Sequence, residues 1–273
     1  MADQLTNEER GHLARLSSSD LRKVARLFAA QPKLVAHASR IALWGAIAAV
    51  RGDPTLGWLA NLYHTRRAAP DATFGAEWGA YGSFLEAFRR VAKPTGFGLE
   101  IGCGGGRITR HLRPLLANLD AVDVSEAILA EARNHVDDTE FFVVDGFGSN
   151  LPSERYDVVA SHDVFVHFEY DQCAHYFANI ARSLRPAGNF VFSVFTLDND
   201  AEIEGYRQDI AQHADLNARR VRRFPSLTYE ALLSIFGFDV VDRARVPFDE
   251  YGFNKPDTHL VLTAQLNNTR PTL

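Results

Sequence analysis

Two stretches of this sequence carry the side chains that could do chemistry. The first is LEIGCGGGR, residues 99–107, where Glu100 closes an apolar run and glycines then stand at 102, 104, 105 and 106. Glycines remove Cβ atoms, so a ligand can lie directly on the backbone there. A carboxylate beside that loop would repel a pyrophosphate and suits a cationic ligand. The dinucleotide fingerprint G-x-G-x-x-G needs a third glycine where Arg107 stands, and a P-loop needs G-K-[ST] where the chain reads GRIT. The second stretch is SHDVFVHFE, residues 161–169. His162 and His167 are candidates for a general base, because imidazole titrates nearest neutral pH. With Asp163 and Glu169 they are also of metal-ligand type, which keeps a divalent ion as a second reading. Their spacing fits no standard metal motif, and no metal ligand is assigned.

Elements must hold these residues in place. From residue 97 onward, short apolar runs alternate with helical patterns. FGLEI (97–101) leads into a helix to about 117, and LDAVD (119–123) into a helix near 126–134. EFFVV (140–144) follows, then YDVVAS (156–161) with a helix near 171–184, then NFVFSVF (189–195). Apolar strands separated by helices specify βαβ units and a parallel sheet covered on both faces. YEALLSIFG reads as a further helix. FDVVDRARV and THLVLTAQL read as strands only 11 residues apart, a gap with no room for a crossover helix. They are expected to pair antiparallel at the sheet edge. In such a sheet ligands sit beyond the carboxyl ends of the strands, where Glu100 and residues 161–169 both fall.

Residues 1–64 read as helices, opened by a capping box at Thr6–Glu9, and TRRAAPDATFGA (65–76) reads as a linker. The expected organisation is a helical segment over 1–70 and a main domain over 71–273. Residues 1–95 hold 13 Lys+Arg and 8 Asp+Glu; the remainder holds 16 and 26. The net charge of −5 over 273 residues gives no global basic field to attract nucleic acid. The longest apolar run, IALWGAIAAV (41–50), is far shorter than the roughly 20 residues that span a bilayer. Cys103 and Cys173 suit free thiols in a reducing cytoplasm better than a disulfide framework.

Residues 97–196 resemble the class I S-adenosylmethionine-dependent methyltransferases, of small-molecule type. The resemblance rests on the ordered set E-x-G-x-G-x-G (Glu100 to Gly106), Asp123 ending the second strand, Asp145-Gly146 after the third, and LRPAGNFVFSVF. The last looks like the family's turn before its fifth strand, with Ala187 in place of a glycine. The resemblance implies a Rossmann-like, doubly wound, mostly parallel seven-stranded sheet with an antiparallel last strand, beside the N-terminal helical segment. It implies S-adenosylmethionine as cofactor and S-adenosylhomocysteine as product. It implies cofactor-binding roles for Glu100, Ile101, Gly102, Cys103 and Gly104. Asp123 and Val124 fall by the ribose, Asp145, Gly146 and Phe147 near the adenine, and Ser161 after the fourth strand. An aromatic segment often closes over the cofactor just before the first strand, and Tyr81 is expected there, with Trp78 one helical turn earlier.

Methyl transfer from a sulfonium needs mainly positioning, but an alcohol acceptor also needs a base. The expected activity is methylation of a small-molecule hydroxyl, such as a sugar or secondary metabolite, with His167 or His162 as base. Residues 198–223 are read as an insertion acting as a lid. It ends in Arg219, Arg220, Arg222 and Arg223, which suit a helix C-terminus and could alternatively hold an anionic group. The N-terminal helices could serve as a lid or a homodimer interface. The alternatives are a tRNA or protein methyltransferase, which the negative charge argues against, and a non-catalytic S-adenosylmethionine-binding module. A dehydrogenase is disfavoured by the missing third glycine.

Overall fold

The chain divides into two units, Met1–Pro70 and Asp71–Leu273. The computed structural model describes residues 82–145, 147–212, 221–247 and 258–267. The expected helices of residues 1–64, the linker, Trp78, Tyr81, Gly146, Arg219 and Arg220 lie outside the described residues. Among the described residues no helix is long and apolar enough to cross a membrane.

The second unit is a seven-stranded sheet flanked by helices. The elements are α1 (Gly82–Val91), β1 (Phe97–Ile101), α2 (Thr109–Leu112) with a 3-10 turn (Arg113–Leu115), β2 (Asn118–Asp123), α3 (Glu126–Ala132) and β3 (Glu140–Val143). Then come β4 (Tyr156–Ser161), a 3-10 turn (Phe165–His167), α4 (Tyr170–Ser183), β5 (Leu184–Phe195), α5 (Asp200–Gln212), α6 (Ser226–Ile235), β6 (Phe238–Pro247) and β7 (Thr258–Leu266). The strand order is β3-β2-β1-β4-β5-β7-β6. β7 runs antiparallel to both β5 and β6, and the β6–β7 pair forms the edge that the 11-residue gap implied.

The order reverses between β1 and β4, so a crevice opens at their carboxyl ends. Apolar runs bury both faces of the central strands. One face packs Phe165, Phe177, Phe190, Phe192 and Tyr229 as a cluster of rings, with Phe190 stacked on Phe192 at 4.4 Å. The other packs Phe84, Leu85 and Phe88 of α1 onto Val158, Val191 and Val261. Each buried aromatic of this kind contributes about 2–3 kcal/mol, so the strand ends are held by a rigid base.

Two expectations change in detail. The helix after β1 is one turn, Thr109–Leu112, and then tightens into a 3-10 turn at Arg113-Pro114, because Pro114 has no backbone N–H to continue the ladder. LRPAG is not a separate turn. β5 begins at Leu184, and its register against β4 shifts between the pairs Tyr156–Leu184 and Val158–Asn189, so the segment is a bulge inside the strand. Within it Ala187 has φ +59, left-handed space that favours glycine. Its side chain is exposed and loses nothing by removal. Ala187→Gly is expected to stabilise the chain by about 1 kcal/mol, read as a rise in denaturant midpoint with unchanged slope.

Candidate functional site

Glu100 leaves β1 into the glycine turn. Gly102 and Cys103 donate their amides to the Val122 carbonyl at 2.7 and 3.0 Å, which pins the turn to the end of β2. Gly102 has φ +71, and a Cβ there would collide with Val164. Gly104 also has a positive φ, +54, but a Cβ there would meet no atom of the described residues within 4 Å. One glycine therefore serves packing, and the other leaves a bare backbone facing open space.

Two carboxylates are buried beside that turn. Asp123 is 3% exposed; its Oδ2 accepts from Gly104 N at 3.2 Å and its Oδ1 from Ser125 N at 3.1 Å. Burial raises its pKa to about 6 against the pull of those amides. Glu100 is 2% exposed, and Oε2 has no hydrogen-bond partner among the described residues. Burial raises its pKa to about 7, opposed by the Thr109 hydroxyl and Arg107. Carboxyl values above the unfolded ones mean that ionisation costs stability. Their contribution to the fold is full at acid pH and is lost as pH rises through about 6 to 7. A cation beside Glu100 and hydroxyls on Asp123 would reverse that cost.

The other placements differ in use. Asp145 spends its carboxylate on its own turn, accepting from Phe147 N at 3.1 Å, Ser149 N at 2.8 Å and the Ser149 hydroxyl. Burial is the largest single influence and raises its pKa, but the hydrogen bonds from Ser149, Phe147 and Gly148 together outweigh it and hold the pKa below the usual value. Phe147 is exposed at the rim, beside His175. Ser161 is fully buried and donates to the Ile101 carbonyl at 3.0 Å; it ties β4 to β1, so its hydroxyl is spent inside the fold rather than turned to a ligand. Cys103 and Ile101 are buried and Val124 half-buried. Burial and the neighbouring Asp123 and Glu100 charges keep the Cys103 thiol protonated.

Past β4 the chain makes a second constellation. Asp163 sits at φ +59, with its amide held by Ser193 Oγ at 2.9 Å. Such strain in a non-glycine residue persists only where its surroundings fix it. Its Oδ2 lies 3.0 Å from His162 Nδ1 and 3.4 Å from the Arg107 guanidinium; its Oδ1 lies 3.3 Å from His259 Nε2. Burial opposes its charge, but His162, His259 and Arg107 hold the carboxyl far below the usual range. Burial pushes His259 down to about 4, against the pull of Asp163, so it is neutral. His162 is walled by the rings of Phe84 and His259, and its Nε2 is buried with no hydrogen-bond partner among the described residues.

His259 and Arg107 are the members that sequence reasoning missed. Arg107 gave one signal, since it fills the third-glycine position of a nucleotide loop. His259 gave none: it opens β7, 96 positions after Asp163 in the printed numbering. His167 ends its 3-10 turn half-buried, and Glu169 caps α4 through a capping box with Gln172 while pairing with Arg222 at 2.6 Å. Neither belongs to the Asp163 cluster. Arg222 and Arg223 are not on a helix end as expected. They lie in an extended strap that bridges Phe195, where Arg222 N donates to the Val166 carbonyl and the Arg223 guanidinium sits 4.8 Å over the Phe195 ring.

The donor atoms of His162, Asp163 and His259 lie within 4.8 Å of one another, a set of metal-ligand chemistry. Arg107 does not fit it. Its guanidinium nitrogen lies 3.4 Å from both His162 Nδ1 and Asp163 Oδ2, a fixed positive charge on the side a dication would approach.

A family model described as a methyltransferase domain matches residues 99–188. That match spans 90 of the 273 residues, from β1 into β5. A search of curated proteins finds no match. Among solved structures, the domain is similar to a 1,6-didemethyltoxoflavin-N1-methyltransferase from Burkholderia thailandensis with bound 1,6-didemethyltoxoflavin and S-adenosylhomocysteine. That likeness has 24% identity, covers 78% of this chain and 86% of that one, and has a TM-score of 0.56. A chain from the complex between the Haloferax volcanii Trm112 methyltransferase activator and a methyltransferase is 17% identical, over 78% of this chain and 99% of that one, TM-score 0.61. The magnesium protoporphyrin IX methyltransferase of Synechocystis PCC 6803, with bound S-adenosylhomocysteine, is 17% identical over 67% and 78%, TM-score 0.52. At these identities the likeness is one of fold.

The donor set of the glycine turn is compatible with a cationic, hydroxyl-bearing ligand such as S-adenosylmethionine: the bare face of Gly104, the Glu100 oxygen without a partner among the described residues and the amide-anchored Asp123. Glu100→Gln is expected to stabilise the cofactor-free chain at pH 8 by about 1–3 kcal/mol, because a desolvated charge is removed. The same change is expected to weaken S-adenosylmethionine about tenfold or more, since a charged contact is lost. Thermal melts and calorimetry of one preparation check both; a destabilised variant with wild-type affinity would reverse the assignment. Gly104→Ala is expected to cost only the roughly 1 kcal/mol of left-handed strain yet weaken the cofactor. Gly102→Ala is expected to destabilise by about 2 kcal/mol or more through the collision with Val164. Denaturant midpoints beside calorimetric affinities separate the two glycines.

Proposed function

We propose that this domain methylates a hydroxyl oxygen on a small-molecule acceptor, with His162 as the general base and Asp163 orienting it. The observation that carries the reading is the state of the His162 ring. Its Nδ1 stands 3.0 Å from a carboxylate that can only accept, and farther, at 3.4 Å, from a guanidinium that can only donate. The closer partner favours the tautomer with the proton on Nδ1. Nε2 then carries a buried lone pair that no described residue engages, the arrangement of an imidazole that waits for a proton. S-adenosylmethionine held by Glu100, the bare Gly104 backbone and Asp123 would supply an activated sulfonium methyl group, with its thioether as the leaving group when the acceptor oxygen bonds to the methyl carbon. His162 Nε2 takes the acceptor's hydroxyl proton. Asp163 stabilises the imidazolium that results, and Arg107 balances the carboxylate charge before the proton arrives.

His167 is the second candidate; the buried lone pair and the paired carboxylate favour His162. The described part of the insertion supports a cover over this region. Glu202 of α5 is fully buried and accepts from the Thr196 and Thr258 hydroxyls, the Asp198 amide and Arg245, which fastens the insertion to the ends of β5 and β7. The strap at Arg222 fastens its other end beside β4. We read residues 198–223 as a lid, residues 1–70 as a further cover or dimer surface, and the chain as a cytoplasmic enzyme. A ring nitrogen is the alternative acceptor, since the Burkholderia enzyme is an N1-methyltransferase.

The test is radiolabelled methyl transfer from S-adenosylmethionine to a panel of sugars, phenols and heteroaromatic N–H compounds. On the acceptor found, His162→Ala is expected to slow turnover about 10²–10⁴-fold with cofactor affinity near wild type. Loss of both to the same degree would overturn the base role, as would a full effect at His167→Ala and none at His162→Ala. Turnover is expected to survive EDTA; a loss restored by a divalent ion would mean that Arg107 yields its place to a metal.

A further inference from the structure

We infer that Ser193 is a positioning residue for this site: by accepting the Asp163 amide it holds that residue in left-handed backbone space and so sets where its carboxylate stands. The inference deepens the proposed function and rests on it for its catalytic meaning, though the placement of the carboxylate can be tested without an acceptor. The Asp163 amide donates to Ser193 Oγ at 2.9 Å, and Asp163 has φ +59. Left-handed backbone is unfavourable for a residue with a Cβ, although aspartate tolerates it better than most. It persists only where the surroundings over-determine it.

The sequence and the sheet both mark Ser193. It is the one polar residue in FVFSVF, residues 190–195, and it is fully buried. β5 runs between β4 and β7 there, and on the same face of the strand buried Val191 and Phe195 flank it with apolar side chains. A buried hydroxyl at such a place costs stability unless it is hydrogen-bonded. The partner described for it is the Asp163 amide. The β4–β5 ladder ends at the pair Ser161–Phe192. Past that end a side chain of β5, rather than its backbone, meets the departing chain at Asp163. A strand position that needed only to fill volume would have no use for a hydroxyl aimed at that amide.

The chain is anchored on both sides of Asp163. Before it, the Ser161 hydroxyl is tied to the Ile101 carbonyl, and the His162 ring is walled by Phe84 and His259. After it, the chain drops into the 3-10 turn with Phe165 fully buried, and Val164 lies where a Cβ on Gly102 would strike it. Between such anchors the sign of φ at Asp163 decides where its carboxylate points. In the left-handed form Oδ2 stands 3.0 Å from His162 Nδ1 and 3.4 Å from the Arg107 guanidinium. A change to negative φ turns the Cα–Cβ bond and carries the carboxylate off that line. Ser193 thus acts on Asp163 through its backbone and not through its charge.

The experiment is a set of crystal structures of the full chain with S-adenosylhomocysteine, wild type beside Ser193 variants, together with methyl-transfer kinetics. Ser193→Ala removes the acceptor oxygen and adds no volume. It is expected to return Asp163 to negative φ and to take Oδ2 beyond hydrogen-bond reach of His162 Nδ1. Ser193→Thr keeps the oxygen and is expected to hold Asp163 at positive φ. If the Ala variant does not fold, Ser193→Cys puts a weak acceptor in place of the oxygen at similar volume and must give the same change. An unmoved Asp163 in a folded variant without the oxygen would overturn the inference, as would an equal displacement in Ser193→Thr, which would make packing the cause. On the acceptor found by the methyl-transfer panel, Ser193→Ala is expected to lower kcat about tenfold or more with cofactor affinity near wild type. A displaced carboxylate with undiminished turnover would refute the part of Asp163 in the proposed reaction and leave its positioning by Ser193 intact, so either can fail while the other stands.

Discussion

A carboxylate taken out of water must be compensated, and three of them stand buried or nearly so at the carboxyl ends of neighbouring strands. The protein compensates them unequally. Asp163, after β4, has an arginine and two imidazoles around it and is held firmly ionised. Among the described residues Asp123, ending β2, has only backbone amides, and Glu100, one residue before the end of β1, has an oxygen without a hydrogen-bond partner. Both of the latter sit near the point where proton and ionised forms balance. The described residues leave two charges undercompensated and surround the third with cationic and imidazole groups. A ligand with a positive charge and vicinal hydroxyls supplies what Glu100 and Asp123 lack. S-adenosylmethionine, the cofactor proposed for the domain matched over residues 99–188, is such a ligand.

The sheet topology makes this inequality possible. Because the strand order reverses between β1 and β4, Glu100 and His162 leave adjacent strands into one crevice. Ser161 locks those two strand ends together through the Ile101 carbonyl, and the Gly102 and Cys103 amides lock the turn to β2. Arg107 reaches from the turn to His162 and Asp163 and links the glycine turn to that cluster. β7, entering antiparallel beside β5, brings His259 to the same place from the far end of the chain. The insertion is fastened on either side of that cluster, by Glu202 and by the strap at Arg222 and Arg223.

Much of this was legible because it is local. The glycine turn, Glu100 and Asp123 are read from spacing and from the apolar runs they terminate, and the antiparallel edge follows from an 11-residue gap. Other roles were not legible, for physical reasons. Asp145 and Ser161 are of binding type, but whether such a side chain turns outward or spends itself on the nearest backbone group depends on a few torsions that the sequence does not display. Arg222 and Arg223 follow a helical pattern and suit a helix end, yet a pairing with Phe195 draws them into a strap. His259 has no local signature, since its partners come from β4 and β5. Ala187 stands where glycine is the unstrained choice, and its positive φ shows that the bulge, not the residue, dictates the backbone there.

The most direct measurement is calorimetric titration of the full chain with S-adenosylmethionine at about pH 6.5, in buffers of different ionisation enthalpy, with NAD as control. At that pH Glu100 and Asp123 are partly protonated, and a cationic, hydroxyl-bearing ligand must drive those protons off. Micromolar binding with net proton release, and no heat with NAD, is the expected result. Binding of NAD in its place, or binding of S-adenosylmethionine with no release or with proton uptake, would contradict the view that these two undercompensated carboxylates are what the cofactor satisfies.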